Sequence, residues 1–190
     1  MSFTSSALEA QNVINGVDVA SLGETLNTIE TSPELAQFQF RNKNKWIDGS
    51  LNQSTIKGFY GAGTEDETRT KSYKFYADEP PVLLGEDKGA NPVEYLLHAL
   101  AGCMTTTMVY HAASRGIEIE ELESSLEGDI DIRGFTGISE DVPKGYSEIR
   151  VNFRVKTDAD SEVLETLTKM SPVYNSIAGS VPISVNVETF

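Results

Sequence analysis

The 190-residue chain has a single cysteine, Cys103, and two histidines, His98 and His111. One cysteine cannot form a disulfide within the chain, and no Cys-x-x-Cys or His-x-x-x-His spacing is present. A free thiol is most easily maintained where thiol reductants are present, and the N-terminus lacks the basic and apolar regions of a secretory signal. We therefore expect a cytoplasmic protein with no metal and no bound cofactor.

Basic residues are scarce, with 15 Lys and Arg against 29 Asp and Glu and a net charge of −14. Such a charge repels phosphate backbones and anionic lipid, so we expect no nucleic-acid or membrane partner. Long apolar runs are absent too, since none approaches the roughly 18 residues of a membrane span. Six basic residues in a predicted hairpin region are interpreted as a solvated face: Lys43, Lys45, Lys57, Arg69, Lys71 and Lys74.

The order of predicted elements indicates an α+β fold. Residues 1–37 are predicted to be a helical N-terminal extension, with helical character over 5–37, and residues 38–190 to be the main domain. The main domain begins with a predicted antiparallel meander over Phe38 to Ile47, Ser54 to Tyr60 and Ser72 to Ala77. The later predicted elements are strands from Ser124 to Gly134, Tyr146 to Thr157 and Val181 to Val187, and helices from Ser161 to Lys169 and Pro172 to Ile177.

A long helix is predicted between the two groups of strands. Asn91, Pro92 and Glu94 fit an N-cap, a proline at the first helical position and the reciprocal glutamate of a capping box. The helix should continue to about Ser114, where the following glycine ends it. Because apolar or small residues occupy nearly every face, we expect protein to cover most of its sides.

Cys103 lies on this helix and has two interpretations, a packing residue or a buried reactive thiol. It is about three turns from the N-cap, so the helix dipole gives it little activation. His98 and His111 are at the wrong angle or distance for a hydrogen bond to the sulfur within the helix. Activation would have to come from other parts of the structure.

The segment from Gly89 to Cys103 resembles the signature helix of the OsmC/Ohr family of osmotically inducible and organic-hydroperoxide-resistance proteins. The stretch Ser171-Pro172-Val173 resembles the second motif of that family, and the resemblance covers about residues 38 to 190. It implies an intertwined homodimer in which antiparallel sheets wrap a long buried central helix and active sites form at the subunit interface.

The resemblance also implies a thiol-dependent peroxidase in which Cys103 attacks an organic hydroperoxide and becomes a sulfenic acid. An arginine and a glutamate are then expected beside the sulfur; the catalytic candidates are Cys103, Glu94, Glu86 and Arg41, with Arg69 as an alternative arginine. Glu94 is also explained by the capping box. Ser171 stands where the family has a resolving cysteine, so an external thiol would have to reduce the sulfenic acid.

The alternative is a module that keeps the fold and binds a small apolar or electrophilic ligand at the dimer interface without efficient turnover. Ser171 favours it, and so does Glu94, because the family that the chain resembles has its glutamate directly after Asn-Pro, where this chain has Val93. In a third interpretation Cys103 is inert and the dimer is structural.

Overall fold

The computed structural model describes residues 13–190 and has eleven β-strands and five α-helices. It confirms the predicted α+β class. The helices are α1 (Val19–Thr31), α2 (Pro92–Ala113), α3 (Ile132–Phe135), α4 (Ser161–Thr168) and α5 (Pro172–Ile177). The strands are β1 (Val13–Ile14), β2 (Val17–Asp18), β3 (Gln39–Phe40), β4 (Lys43–Asp48), β5 (Leu51–Ile56), β6 (Phe59–Gly61), β7 (Thr64–Glu65), β8 (Tyr73–Ala77), β9 (Glu121–Ile130), β10 (Tyr146–Lys156) and β11 (Ile183–Thr189).

The core lies between α2, α4 and a three-stranded sheet in the order β11-β10-β9. Strand β10 is antiparallel to β9 and parallel to β11. Its inward residues Ile149, Val151, Phe153 and Val155 are at most 1% exposed and alternate with the exposed residues Asn152 and Arg154. Each buried side chain of this size stabilises the fold by about 1.5–3 kcal/mol relative to full exposure.

Helix α2 begins at Pro92 and ends at Ala113, close to its predicted ends. Leu100, Met104 and Met108 on one face are fully buried against the sheet and α4, whereas Tyr110 on another face remains 48% exposed. The exposed residues Gly102, Thr106 and Tyr110 form one stripe along the helix, and the predicted covering of most of its sides stays a prediction for the assembled protein.

Two small sheets precede α2, with the strand orders β3-β6-β7 and β4-β5-β8. The predicted meander is present, but the strands predicted from Phe38 to Ile47 and from Ser54 to Tyr60 are each divided between the two sheets. Phe40 pairs with β6, whereas Lys43 pairs with β5, so the chain changes sheets between them. Every residue of β4 is exposed, so neither face of this strand is covered in the single chain.

The N-terminal part of the described chain is a hairpin followed by α1. Residues 13–18, predicted as helical, form β1 and β2 because Asn15 and Gly16 have φ angles of +53° and +76°, as in the Asn-Gly turns of hairpins. Nδ2 of the Asn15 side chain donates to the Ile117 carbonyl (2.9 Å), and its Oδ1 accepts from the backbone amide of Ile119 (2.8 Å). The hairpin is thereby attached to the segment after α2. Residues 1–12 lie outside the described residues, and the domain boundary at 37 stays a prediction.

The strand predicted to reach Gly134 ends at Ile130. The Asp131 carboxylate accepts from the Arg133 amide (2.9 Å) and caps α3, which turns the chain away from the sheet. The predicted α4, α5 and final strand are present. Within residues 13–190, no helix has both the length and the apolar character needed to cross a membrane.

Candidate active site around Cys103

The capping box at the start of α2 fixes the helix that carries Cys103. The Asn91 side chain accepts from the Val93 amide (3.0 Å), and the Asn91 amide donates to the Glu94 carboxylate (2.8 Å). The Asn91 side-chain amide also donates to the Glu79 carboxylate (2.6 Å), which connects the cap to the preceding loop. These bonds satisfy backbone donors that the first turn of a helix leaves unpaired. Glu94 therefore has a structural role, and it lies about 13 Å along the helix axis from Cys103.

Cys103 is half-buried and lies outside the core cluster formed by the described residues. It opens onto a depression of about 420 Å³, here called the thiol pocket. Its other lining residues are Thr106, Thr107, Tyr110 and His111 from α2, and Met170 and Pro172 from the junction of α4 and α5. The spacing of three, four, seven and eight residues from Cys103 places the α2 residues on one helix face. The sulfur therefore faces a pocket instead of filling the core.

His111 forms the far end of the thiol pocket, about 12 Å along the helix axis from Cys103. Burial, with a further contribution from the Arg115 charge, lowers the pKa of His111 below its usual value, which favours the neutral ring at neutral pH. Nη1 of Arg115 lies 3.2 Å from Nδ1 of this ring. Because a guanidinium only donates, Nδ1 accepts and the ring proton lies on Nε2. His111 therefore carries its ring N–H on Nε2 at the far end of the pocket.

Ser171 is fully buried between the two pocket residues Met170 and Pro172. Its hydroxyl accepts from the Tyr174 amide (3.2 Å) and caps α5, as the Ser-Pro sequence indicates. The side chain at the position that the resemblance assigns to a resolving cysteine is thus a helix cap.

Glu86 lies in a loop organised by the buried carboxylate of Asp78. This carboxylate accepts hydrogen bonds from the Ser50 hydroxyl and from the backbone amides of Glu79, Glu86 and Lys88. The Ser50 bond, followed by the amide of Lys88, lowers the pKa of Asp78 to about 2. The Glu86 side chain points to the surface and pairs with Lys88.

Arg41 forms a bidentate ion pair with Glu65, with distances of 2.9 and 2.7 Å, and its Nε donates to the Gln39 side chain. None of Arg41, Glu86 and Glu94 lines the thiol pocket of the single chain.

Met170 and His111 line the thiol pocket but are not among the site residues predicted from the sequence. Met170 lies 67 positions after Cys103 in the sequence, and no local pattern connects the two. In the part of the chain described, no group of three or more His, Cys, Asp or Glu residues could hold a metal ion.

The fold and site define an α+β protein with a thiol on a central helix, and comparison with known proteins gives the family. A family model described as OsmC-like protein matches residues 85–186, which is more than half of the chain. The chain therefore belongs to the OsmC-like family, which confirms the resemblance noted in the sequence. No curated protein matches it.

Solved structures that share this fold include the following three. An OsmC-like protein from Mycoplasma pneumoniae has a TM-score of 0.61 and 20% identity, over 80% of this chain and 96% of that one. An organic hydroperoxide resistance protein from Elizabethkingia anophelis, with thiocyanate bound, has a TM-score of 0.58 and 14% identity, over 80% and 97%. The organic hydroperoxide resistance protein OsmC from Legionella pneumophila has a TM-score of 0.52 and 18% identity, over 78% and 97%. At these identities the likeness establishes the fold alone.

Proposed function

We propose that this protein is a one-cysteine thiol peroxidase that reduces organic hydroperoxides at Cys103 and serves in defence against oxidative stress. The observation that carries the proposal is the position of the sole cysteine, which opens onto the thiol pocket instead of packing in the core. Tyr110, Met170 and Pro172 give the pocket apolar walls suited to the organic part of a hydroperoxide. Two of the structural neighbours are named organic hydroperoxide resistance proteins, which supports the same chemistry.

The reaction begins with attack of the Cys103 thiolate on the terminal oxygen of the hydroperoxide. A sulfur–oxygen bond forms, the O–O bond breaks, and the sulfur becomes a sulfenic acid after losing two electrons. The leaving alkoxide takes one proton and departs as an alcohol. Thr106, one helical turn from Cys103, carries a hydroxyl into the pocket that is able to bind the polar end of the substrate.

The sulfenic acid returns to the thiol through an external thiol. The first thiol forms a mixed disulfide with Cys103 and releases water; the second releases the free Cys103 thiol and leaves as a disulfide. The chain has no second cysteine, and the hydroxyl of Ser171 caps α5. This chemistry needs a compartment rich in reduced thiols, and we place the protein in the cytoplasm.

We propose further that the enzyme is a homodimer and that the second subunit completes the site. The single chain leaves large apolar side chains uncovered, including Phe40 (72% exposed), Trp46 (67%) and Tyr110 (48%). Covering such surface stabilises an assembly by about 25 cal/mol per Å². Arg41, Glu86 and Glu94 remain the candidates for the charged groups beside the sulfur, each provided across the interface. Sedimentation equilibrium at micromolar concentration should give twice the chain mass; a stable monomer would exclude a shared site.

The test of the activity is intact-mass spectrometry of the reduced protein after a short pulse of cumene hydroperoxide or hydrogen peroxide with a sulfenate trap present. We expect a stoichiometric adduct that forms faster with the organic peroxide and is absent in Cys103→Ser. In Thr106→Leu, which fills the pocket and keeps the thiol, the organic peroxide should lose its advantage. Equal reaction of both peroxides in the parent protein would contradict the role of the pocket.

The second candidate function is a binding module that holds a small apolar or electrophilic ligand in the same pocket. It is favoured by the lack of an arginine or carboxylate among the described residues that line the thiol pocket. A thiol that resists both peroxides in the folded protein, but is alkylated after unfolding, would exclude the peroxidase, and protection of Cys103 from alkylation by a small apolar ligand would then distinguish binding from an inert thiol.

A further inference from the structure

Positive charge is concentrated in one segment of this acidic protein. Seven of the 15 basic residues fall between positions 41 and 74, together with four of the 29 acidic residues. The local balance is thus positive although the whole chain carries −14. The positive charge of residues 41–74 attracts anions to this part of the surface, although the protein as a whole repels them.

The basic residues of this segment differ from the others in their pairing. Outside it, six of eight basic residues form ion pairs with carboxylates: Lys88, Arg133, Arg150, Arg154, Lys156 and Lys169. Inside it, Arg41 pairs with Glu65, and the other six form no ion pair within residues 13–190. The folded chain therefore leaves six cations without a carboxylate partner among its described residues, and five of them are exposed to solvent.

Two of these unpaired cations, Lys43 and Lys57, line a cavity of about 440 Å³, here called the basic cavity. It lies where β4 begins, β5 ends and β8 begins, and the register Lys43 to Thr55 and Ile56 to Tyr73 holds these strand ends together. Thr55, Ser72 and Asn42, whose side chains carry hydroxyl and amide groups, are also among its lining residues. Arg41 also lines it and pairs with Glu65.

Arg69 braces one wall of the basic cavity. Its Nη1 donates to the carbonyl of Lys57 (3.2 Å), and its guanidinium carbon lies 4.8 Å from the ring centre of Phe59 and 5.6 Å from that of Tyr73. Contacts of a guanidinium with aromatic faces are worth about 0.5–1 kcal/mol each at exposed sites. The loop that carries Lys57 and Gly58 is thus held against the sheet, so a ligand meets a preformed wall.

We propose that the basic cavity is a binding site for a small phosphate-bearing anion of diphosphate size. Lysine ammonium groups bind phosphate as point charges, and hydroxyl and amide hydrogens complete the ligation of its oxygens. Two unpaired lysines match an anion of charge two or more. Polymeric nucleic acid is excluded as the occupant because the acidic surface beyond the segment repels it. Free pyrophosphate and a nucleoside diphosphate share the required chemistry.

The test is isothermal titration calorimetry of the full chain with pyrophosphate and, separately, with ADP at 50 and 300 mM salt. Lys43→Gln and Lys57→Gln should each weaken binding about tenfold, as expected for loss of a charge-assisted hydrogen bond. Lys144→Gln is the matched control, because this exposed lysine lies outside the cavity and removes the same charge. Gly58→Leu fills the cavity without changing charge, since a Cβ at Gly58 meets no atom within 4 Å. It should abolish binding.

One-site binding that weakens with salt, with Lys144→Gln unchanged, would establish the site. Equal affinities for both ligands would identify the diphosphate group as the whole ligand, and tighter binding of ADP would identify a nucleotide. Absence of heat with both ligands, or equal weakening by all three lysine variants, would overturn the proposal. Thermal unfolding of each variant shows that it is folded; if Gly58→Leu is not, the lysine variants decide.

Discussion

Replacing Asn91 by alanine tests how the start of α2 controls the site. The substitution removes the acceptor of the Val93 amide, which costs about 1 kcal/mol for an N-cap. It also removes the 2.6 Å bond to Glu79, worth about 1 kcal/mol more. The total of about 2 kcal/mol corresponds to a fall of about 4–8 °C in Tm for a chain of this size.

The assay is urea unfolding together with thermal unfolding, at one protein concentration because association would shift both. Asn91→Ser keeps a capping oxygen and loses the donor to Glu79, so we expect about half of the loss. The capping box predicts that Glu94→Gln, which retains the acceptor for the Asn91 amide, changes stability by less than about 0.5 kcal/mol.

The rate of Cys103 oxidation separates a capping role of Glu94 from a catalytic one. If Glu94 acts by capping alone, Glu94→Gln should keep the rate within about twofold, since glutamine preserves a capping box. A rate lowered more than tenfold at unchanged stability would refute this reasoning and show that the carboxylate reaches the sulfur of a second subunit. An unchanged Tm in Asn91→Ala would refute the stability argument.

Three further predictions concern the rest of the chain. Met104→Ala, at a fully buried position, should lower the free energy of unfolding by about 2–5 kcal/mol in urea, whereas the half-exposed Met170→Ala should change it far less. The pKa of Asp78 is lowered to about 2 chiefly by the Ser50 hydroxyl, so its carboxylate stabilises the fold above about pH 4 and this contribution is lost as the pH falls through 2. In urea unfolding at pH 2, 4 and 7, the free energy of unfolding of Asp78→Asn should accordingly depend less on pH than that of the parent protein. The same dependence in both proteins would contradict this. Ser171→Ala should lower the free energy of unfolding by about 1 kcal/mol in the same urea assay, because it removes the α5 cap. A decrease smaller than that caused by replacing an exposed serine with alanine would contradict this.

The ends of α2 were predictable because capping is local chemistry. Asn91, Pro92 and Glu94 lie within four residues. The side chains of Asn91 and Glu94 form hydrogen bonds to neighbouring backbone groups, and Asn91 also bonds to one loop carboxylate. The inward face of β10 followed from its alternation for the same reason. Asn15-Gly16 carried an equally local turn signal, which indicates a hairpin and not the predicted helical segment.

The sites were less predictable because they join distant parts of the chain. Lys43 and Lys57 are exposed, as expected for a solvated face, but a sequence pattern does not show the pairing of strand ends that brings both of them to one cavity. Asp78 gave no signal of its role either, because its hydrogen-bond donors extend from Ser50 to Lys88. Met170 joins Cys103 only when α4 and α5 pack on α2.

The two hydrogen bonds of Asn15 also bear on the order of events during synthesis. The hairpin at residues 13–18 leaves the ribosome early, but the backbone groups of Ile117 and Ile119 that it binds are made about a hundred residues later. At 5–20 residues per second this is a delay of about 5–20 s. During that time the hairpin has no docking place, and an isolated two-stranded hairpin has marginal stability in water. The first described residues of the chain therefore wait for about a hundred further residues to be made before they reach their final contacts.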